Sequence, residues 1–387
     1  MAFFTKKSST QGAAVYDIAD DSVAVALVTT GKKLPEIIWS RRYPIFINRD
    51  HGKINYTQAL RRALDVLQRD VVKIGLPLCK RFGIQVDSLQ VKCVMSSGWH
   101  TADTVTSRIQ RDELFIPDNR HLETAQQSAH KDFMSRYQHE FEDDEPVHLT
   151  HRMLGILGDE QPISMARKKP VEKFDVHMYI SKTPQSVKRV VDAAIEQIFH
   201  TNNIRYYSGF ETTNQTLMSA DRSLRDFTVV APGRRKTDIV YTSNGVIRGI
   251  ASSSLGEDFM VRTIARALNR PHNDVRSRIQ LQQRGKHHQS SVHEIDIALK
   301  EISKRWSSSV HEKMKKAGGG ALPEKVYILL PASKTSAVFS EFAKEINTHA
   351  PDLSVFLINQ ERLSDYVQSY GTSDHALLLS VLGSCGY

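Results

Sequence analysis

The chain has 387 residues, 40% of them hydrophobic and 25% charged, which is globular composition with room for more than one core and excludes wholesale disorder. No run approaches the ~20 apolar residues of a membrane-spanning helix. The three cysteines, Cys79, Cys93 and Cys385, have neither metal-ligand nor disulfide-framework spacing and read as reduced structural thiols. The formal net charge is +9, and the segment from Phe259 to Lys325 carries most of it, with 14 Lys/Arg against 6 Asp/Glu. That asymmetry points to an acidic partner or anionic surface near this segment.

From the N-terminus, MAFFTKKSST lacks the apolar h-region of a signal peptide, so the expectation is a cytosolic chain. Ala13 to Val28 reads as strand, polar turn at Asp20-Asp21-Ser22, and strand. Thr30 to Lys33 is a second turn and Ile37 to Trp39 a third strand. Tyr56 to Ile74 follows as a helix, with Ala59, Leu60, Ala63, Leu64, Leu67 and Val71 on one face. Leu89 to Met95 is a strand that ends in Ser96-Ser97-Gly98-Trp99-His100. A polar helix over Asn119 to Tyr137, the acidic run Glu140 to Glu145, and strands near His148 to Leu157 and Phe174 to Ile180 complete an α+β insert over 88–181. Thr183-Pro184 predicts a capped helix start, with Val187, Val190, Val191, Ala194, Ile195, Ile198 and Phe199 on its inner face. A short strand over Tyr206 to Phe210 leads onward.

Thr228 to Gly256 repeats the opening plan: strand, loop, strand, the hairpin dipeptide Asn244-Gly245, and strand. Two copies about 200 residues apart, on this reading of the element order, argue for a duplicated α/β unit. The loop Ala231 to Lys236 could wrap an anion with clustered main-chain N–H groups. A basic helical segment over 259–320 comes next. Val261, Ile264, Ala265 and Leu268 form its apolar face, and Arg262, Arg266 and Arg270 form the opposite row. A Ser291/Glu294 capping box opens a long helix with Val292, Ile295, Leu299, Ile302, Trp306 and Val310 on its seam, closed by Gly318-Gly319-Gly320. Val326 to Leu330 and Leu353 to Ile358 are strands, Ser336 to Ile346 and His375 to Leu382 helices. His287, His288 and His293 have no zinc-ligand spacing, and no metal site is expected from them. Trp99 is either an exposed partner anchor or a core residue capping the insert's sheet.

This pattern resembles the actin-like ATPase superfamily, and within it the FtsA/PilM group, whose small (SHS2-type) domain leaves the first half after its opening sheet. VYDIADDSVAVALV is similar to the group's first phosphate loop and VVAPGRRKTDIV to its second. SLGEDFMVRTIARALN resembles the segment opening the helical insert, and YILLPASKTSAVFSEFAKEI stands where a Gly-Gly turn lies beneath the adenosine. The resemblance implies an α/β, two-lobed, duplicated ribonuclease H-like fold. The first lobe would comprise 1–87, 182–212 and 350–387, and the second 213–258 and 321–349, with the insert at 88–181 and the helical insert at 259–320. It implies ATP and Mg²⁺ as candidate cofactors, held by Asp17, Ser22, Gly233, Thr237, Asp238 and Gly256, with Trp99, Arg262, Arg266 and Arg270 toward partners.

The departures reshape that expectation. Ala19, Asp20 and Asp21 replace small turn residues, and carboxylates repel a polyphosphate. Ala231 replaces the second loop's leading aspartate, Arg234, Arg235 and Lys236 replace small or acidic positions, and Pro331, Ala332 and Ser333 replace the glycines. The expected function is a cytoplasmic scaffold peripheral at the inner membrane, in division or type IV pilus assembly, with nucleotide binding weak or lost. Self-association and capture of a membrane protein's cytoplasmic tail are the expected contacts, the membrane being met indirectly because the chain stops at Tyr387. The alternatives are an active ATPase in which the Arg-Arg-Lys run substitutes for the metal, and a nucleic-acid binder using the arginines of the helical insert.

Overall fold

The computed structural model describes residues 11–30, 34–47, 49–50, 53–96, 98–141, 144–283, 289–329, 343–346, 348, 352–358, 363, 365–369 and 374–385. β1 (Gln11–Ile18), β2 (Ser22–Thr30) and β3 (Glu36–Pro44) run antiparallel in succession. After a small hairpin, β4 (Arg49–Asp50) and β5 (Lys53–Ile54), come helix α1 (Tyr56–Asp70), a π turn over Val71–Gly75 and α2 (Leu76–Arg81). β6 (Gln90–Met95) returns parallel to β1. The chain then departs into β7 (Thr101–Phe115), α3 (Asn119–Tyr137), β8 (Pro146–Gly158), β9 (Gln161–Pro162) and β10 (Val171–Pro184), and comes back through α4 (Gln185–Phe199) to β11 (Ile204–Ser208), parallel to β6.

Helix α5 (Gly209–Ala220) leads to the second copy. There β12 (Phe227–Pro232), β13 (Thr237–Ser243) and β14 (Val246–Ser253) are antiparallel. Helices α6 (Glu257–Ala267), α7 (His272–Gln283) and α8 (Gln289–Ala317) intervene before β15 (Lys325–Leu329) and β16 (Ser354–Ile358), both parallel to β12. β17 (Gln368–Ser369) extends the first sheet beside β3, and α9 (His375–Cys385) follows. The strand orders β3-β2-β1-β6-β11 and β14-β13-β12-β15-β16 are the same topology twice.

Period-two alternation sorts the first sheet between two cores. Ala14, Tyr16 and Ile18 point to one side, into a cluster with Leu60, Leu64 and Leu67 of α1 and Val191 and Ile195 of α4. Ala13 and Val15 point to the other, into a cluster with α5, α9 and the inner residues Val229 and Val240 of the second sheet. Burial on both faces explains why β1 and β2 read as near-continuous apolar runs. The outer face of the second sheet, Val230 and Ile239, packs on α6, α7 and α8. Helix α3 lays Ala125, Ala129 and Phe133 on Val105, Phe174, Val176 and Met178 of the antiparallel sheet β7-β10-β8-β9.

Four expectations are corrected. β6 belongs to the first sheet, and the insert's sheet begins at Thr101, since a parallel register with β1 claims Gln90 to Met95. β7 was unforeseen, because between Val105 and Ile109 its inward positions include the polar Ser107 and its far end is exposed. Thr183 does not cap α4. Its hydroxyl donates to the Trp99 carbonyl at 2.6 Å, β10 runs on through Pro184, and Asp144 accepts from the Ser186 N–H instead, at 3.2 Å. β16 pairs with β15 in the second sheet, against the expectation that 350–387 belongs to the first lobe. The third motif, Pro331 to Ser333, His287, His288 and most of the 336–346 helix lie outside the described residues, as do the side chains of Ser291, Val292, His293 and Glu294; α8 already begins at Gln289.

Trp306 on α8 is buried, and its Nε1–H donates to Thr237 Oγ1 at 3.0 Å, which ties the long helix to the start of β13. Trp306→Ala should therefore cost about 3–5 kcal/mol, read as a lowered urea midpoint.

Candidate functional site

Two turns meet between the lobes. One is the β1–β2 turn, Ala19 to Asp21; the other is the β12–β13 loop, Gly233 to Lys236. The Asp20 carboxylate is 7% exposed, and its Oδ2 accepts the main-chain N–H groups of Arg234 at 2.8 Å and Arg235 at 3.1 Å. Successive N–H groups of this kind form an anion-binding concavity, and here the anion is the chain's own side chain. A Cβ at Gly233 would lie 3.0 Å from the Lys236 carbonyl oxygen and 3.1 Å from Asp20 Oδ2, so the close approach favours glycine. Burial, with Asp21 adjacent, pushes the Asp20 carboxyl up to about 7, and the two N–H bonds pull it back.

The arginines of the second loop complete the clasp. Arg234 Nη1 donates to the Ile45 carbonyl at 3.1 Å. Arg235 Nη2 donates to the Gly98 carbonyl at 2.6 Å, and its guanidinium lies 4.7 Å from the centroid of the Tyr56 ring. Gly98 has φ +94°, and a Cβ there would meet Arg235 Nη2 and Asp20 Cβ at 2.6 Å. The loop also closes the start of α6: the Glu257 N–H donates to the Gly233 carbonyl at 3.0 Å and the Asp258 N–H to the Arg234 carbonyl at 2.8 Å. Gly256 lets this happen, because a Cβ would sit 2.6 Å from Arg235 C and Lys236 N.

Asp17, at the end of β1, is 1% exposed. Arg42 of β3 donates to it through Nη2, and Ser380 of α9 donates to its Oδ1 at 3.2 Å. The same guanidinium donates from Nε to Asp374 Oδ2 at 2.5 Å and from Nη1 to Ser22 Oγ at 2.8 Å. Burial raises the Asp17 carboxyl, and the Arg42 charge opposes that shift. A cavity of about 120 Å³ lies beside these groups, lined by Asp17, Asp20, Arg42, Ser96 and Glu257 with Phe210, Val229, Leu329 and Leu379.

Of the six residues expected to hold cofactor, the cavity brings together Asp17 and Gly233. Ser22 donates to Asp21 Oδ1 at 2.6 Å. Thr237 donates to the Leu255 carbonyl at 2.7 Å. Asp238 is fully buried, accepts from Ser252, and has Lys236 Nζ at 3.3 Å. Arg42, Asp374 and Ser380 are not singled out by the sequence, nor are the partners of Asp20 and Ser96, because these pairings reach up to 363 positions along the chain. Among the described residues, the groups present do not fit Mg²⁺-ATP in this arrangement. The loop N–H groups and the first N–H groups of α6 are taken, Asp17 is paired with Arg42, and the cavity is smaller than the ~300–1,000 Å³ of ordinary ligand pockets.

Of the two readings of Trp99, the partner anchor is corrected and the core one holds with a change of place: it is 4% exposed, sits in the first-lobe cluster and not in the insert's, and donates from Nε1 to the Ala19 carbonyl at 2.7 Å. Arg262 and Arg266 are exposed on α6 opposite buried Val261, Ile264 and Ala265, but Arg270, though exposed, does not continue their row: α6 ends at Ala267 and the chain turns at Asn269, with φ +47°. Arg276 is instead paired with Glu257 and Asp258, and Arg278 with Asp274 at 3.0 Å.

Next to Trp99, His100 faces the Ser96 carbonyl through Nδ1 at 3.0 Å and Ser208 Oγ through Nε2 at 3.0 Å, and Tyr179 donates to Ser208 Oγ at 2.6 Å. A carbonyl only accepts, so Nδ1 carries the proton and Ser208 donates to Nε2. Burial lowers His100 to about 4, with the Lys236 charge in the same direction and the Ser96 carbonyl opposing. The unfolded chain therefore takes up this proton first as pH falls below ~6.5, and His100 removes stability between there and pH 4, by about 3 kcal/mol at most. Asp20, raised to about 7, acts in the opposite sense, adding stability at low pH that is lost as pH rises through 7. The isolating measurement is thus the difference in unfolding free energy between wild type and His100→Gln. It should change across pH 4–6.5 and be flat above.

No protein-family profile matches the chain, and no curated protein matches it in sequence. Solved structures do match in fold. A PilM–PilN type IV pilus biogenesis complex aligns over 97% of this chain and 98% of that one, with a TM-score of 0.61 at 10% identity. The ethanolamine utilization protein EutJ from Carboxydothermus hydrogenoformans covers 97% and 89%, with a TM-score of 0.43 at 13% identity. A Bacteroides thetaiotaomicron protein with actin-like ATPase fold covers 98% of both, with a TM-score of 0.43 at 10% identity. With the duplicated sheets, the fold is the two-lobed one of the actin-like ATPases.

Proposed function

We propose that this chain is an actin-like scaffold of the PilM type, closed without nucleotide, that works by holding other proteins. The observation that carries the reading is the Asp20 carboxylate seated on the Arg234 and Arg235 N–H groups, where a phosphate would otherwise go. In phosphoryl transfer the metal and fixed donors supply most of the stabilisation. Here the donors are spent on a side chain, and Ala231 stands in place of the acid the second loop usually leads with. This also disfavours the substitution of Arg234 and Arg235 for a metal, since both guanidinium groups are bonded to first-lobe carbonyls.

The match over nearly full length to the PilM component supports capture of a membrane protein's cytoplasmic tail as the working contact, and pilus assembly ahead of cell division. No helix among the described residues is long and apolar enough to cross a membrane, which suits a peripheral place at the inner membrane. The exposed arginines Arg262 and Arg266 of α6, with Arg270 just beyond its end, are the candidate surface for a neighbouring subunit. A nucleic-acid reading of that segment is weakened by the pairing of Arg276 with Asp258, at the start of α6, and of Arg278 with Asp274.

Purified protein should show no Mg²⁺-dependent ATP turnover above background, and Asp20→Gly, which frees the two N–H groups, should raise affinity for ATP in calorimetry. Robust wild-type turnover that Asp17→Ala abolishes would overturn the reading. Reversing Arg262, Arg266 and Arg270 to Glu should weaken self-association in low-salt sedimentation and leave the melting temperature nearly unchanged. Indifference of self-association to the reversal would remove these arginines from the assembly surface.

A further inference from the structure

Helix α1, the π turn and α2 form one continuous rod of roughly 39 Å at ~1.5 Å per residue. Its inner side is fixed. Leu60, Leu64, Leu67, Val71 and Cys79 are buried in the first-lobe core. Gly75 brings the π turn against the sheet, since a Cβ there would lie 2.7 Å from Leu27 Cδ1 and 3.0 Å from Trp39 Cε3.

The outer side is basic. Arg61, Arg62, Arg69, Lys73, Lys80 and Arg81 are all exposed, and none pairs with an acid among the described residues. Arg62, Arg69 and Lys73 follow one another at 7 and 4 residues, the spacing of one stripe along a helix, while Lys80 and Arg81 lie beyond the π turn, which shifts the helical phase. The exposed acid on this side is Asp65, while Asp70 is engaged by Arg41 at 3.3 Å and by the Tyr43 hydroxyl at 2.5 Å. The same rod leaves large apolar side chains in solvent: Val72 is 50% exposed, Ile74 46% and Phe82, at its end, 44%.

Cations and protruding apolar groups on one continuous element fit a partner surface with phosphate at its face and hydrocarbon just beneath. A nucleic-acid duplex would satisfy the cations but offers its backbone phosphates no apolar counterpart, so the apolar residues decide between the two. We propose that the outer face of α1 and α2 docks the protein directly on an anionic lipid surface. This contact is separate from capture of a protein tail and needs no partner protein.

The test is co-sedimentation of the full chain with protein-free vesicles, mixed phosphatidylcholine–phosphatidylglycerol against pure phosphatidylcholine. Binding should appear on the mixed vesicles alone and weaken with salt. Replacing Arg62, Arg69 and Lys73 together by Glu should reduce it at least ~100-fold, at roughly fivefold for each cation removed, with the melting temperature held. Lys73→Gln alone should lower it roughly fivefold, which keeps the test open if the triple variant folds poorly. Val72→Ser with Phe82→Ser should shift the remaining binding toward greater salt sensitivity, because the apolar share is lost. Equal binding to both vesicle types, no binding to either, or indifference to the charge changes would overturn the proposal. So would duplex DNA binding that the reversal abolishes in the absence of vesicle binding.

Discussion

A carboxylate buried between two lobes has to be compensated, and most of this protein's central architecture supplies that compensation to Asp20. Two main-chain N–H groups of the opposite lobe reach one oxygen. Hydrogen bonds to a charged group contribute about 1.5–3 kcal/mol each, while desolvating the carboxylate costs several kcal/mol. Burial outweighs the two bonds, since the Asp20 carboxyl is still pushed up to about 7, and geometry sets how much of the cost they offset. Gly233, Gly98 and Gly256 are the positions where a single Cβ would push the turn, the loop or the start of α6 apart. The clasp depends on their lack of a side chain as much as on the charge of Asp20.

A second buried ionic cluster stands behind the first. Arg42 is shared between Asp17 and Asp374, and Asp374 Oδ1 also accepts the Leu377 N–H at 3.0 Å in the first turn of α9. The guanidinium therefore links β3, the end of β1 and the last helix. Deleting one member of such a buried set leaves an uncompensated charge, at about 3–5 kcal/mol. In an enzyme, a strand-end acid in a cleft is free to meet a cation; here Asp17 has its cation built in.

Sequence reasoning recovered what local physics dictates. The apolar runs of β1 and β2, the Asn244-Gly245 turn with φ of +54° and +74°, and the span of α3 were all legible, because short-range pattern and turn chemistry specify them. What it missed depends on distant pairing. Thr183 looked like a cap, but its hydroxyl bonds to Trp99 across the insert's root. Trp99 looked like a possible anchor, but its indole fastens the turn at Ala19. The acids at Asp20 and Asp21 were read as repelling phosphate, which is sound as far as it goes; their partners, the N–H groups of Arg234 and Arg235, lie over 200 residues on. The apolar side of α1 identifies the helix by its period, but exposed cations on the other side carry no periodic signal that says what they face.

The duplication gives the clasp its logic. Each lobe carries the same three-stranded opening, and each opening has a turn between its first two strands that faces the other lobe. In the first copy that turn carries a carboxylate; in the second, it presents N–H groups. Two loops of one ancestral kind would compete for the same anion if both remained donors. Converting one of them to an acid makes them complementary to each other, so closure needs no third body. A ligand can shift a conformational equilibrium only through unequal affinity for its states. Once the closed state holds its own anion, a nucleotide would have to displace Asp20 before gaining any contact with the loop, and its differential affinity falls by that amount. On the reading proposed above, a lost nucleotide response and a closure that needs no ligand would both follow from the one carboxylate in the β1–β2 turn.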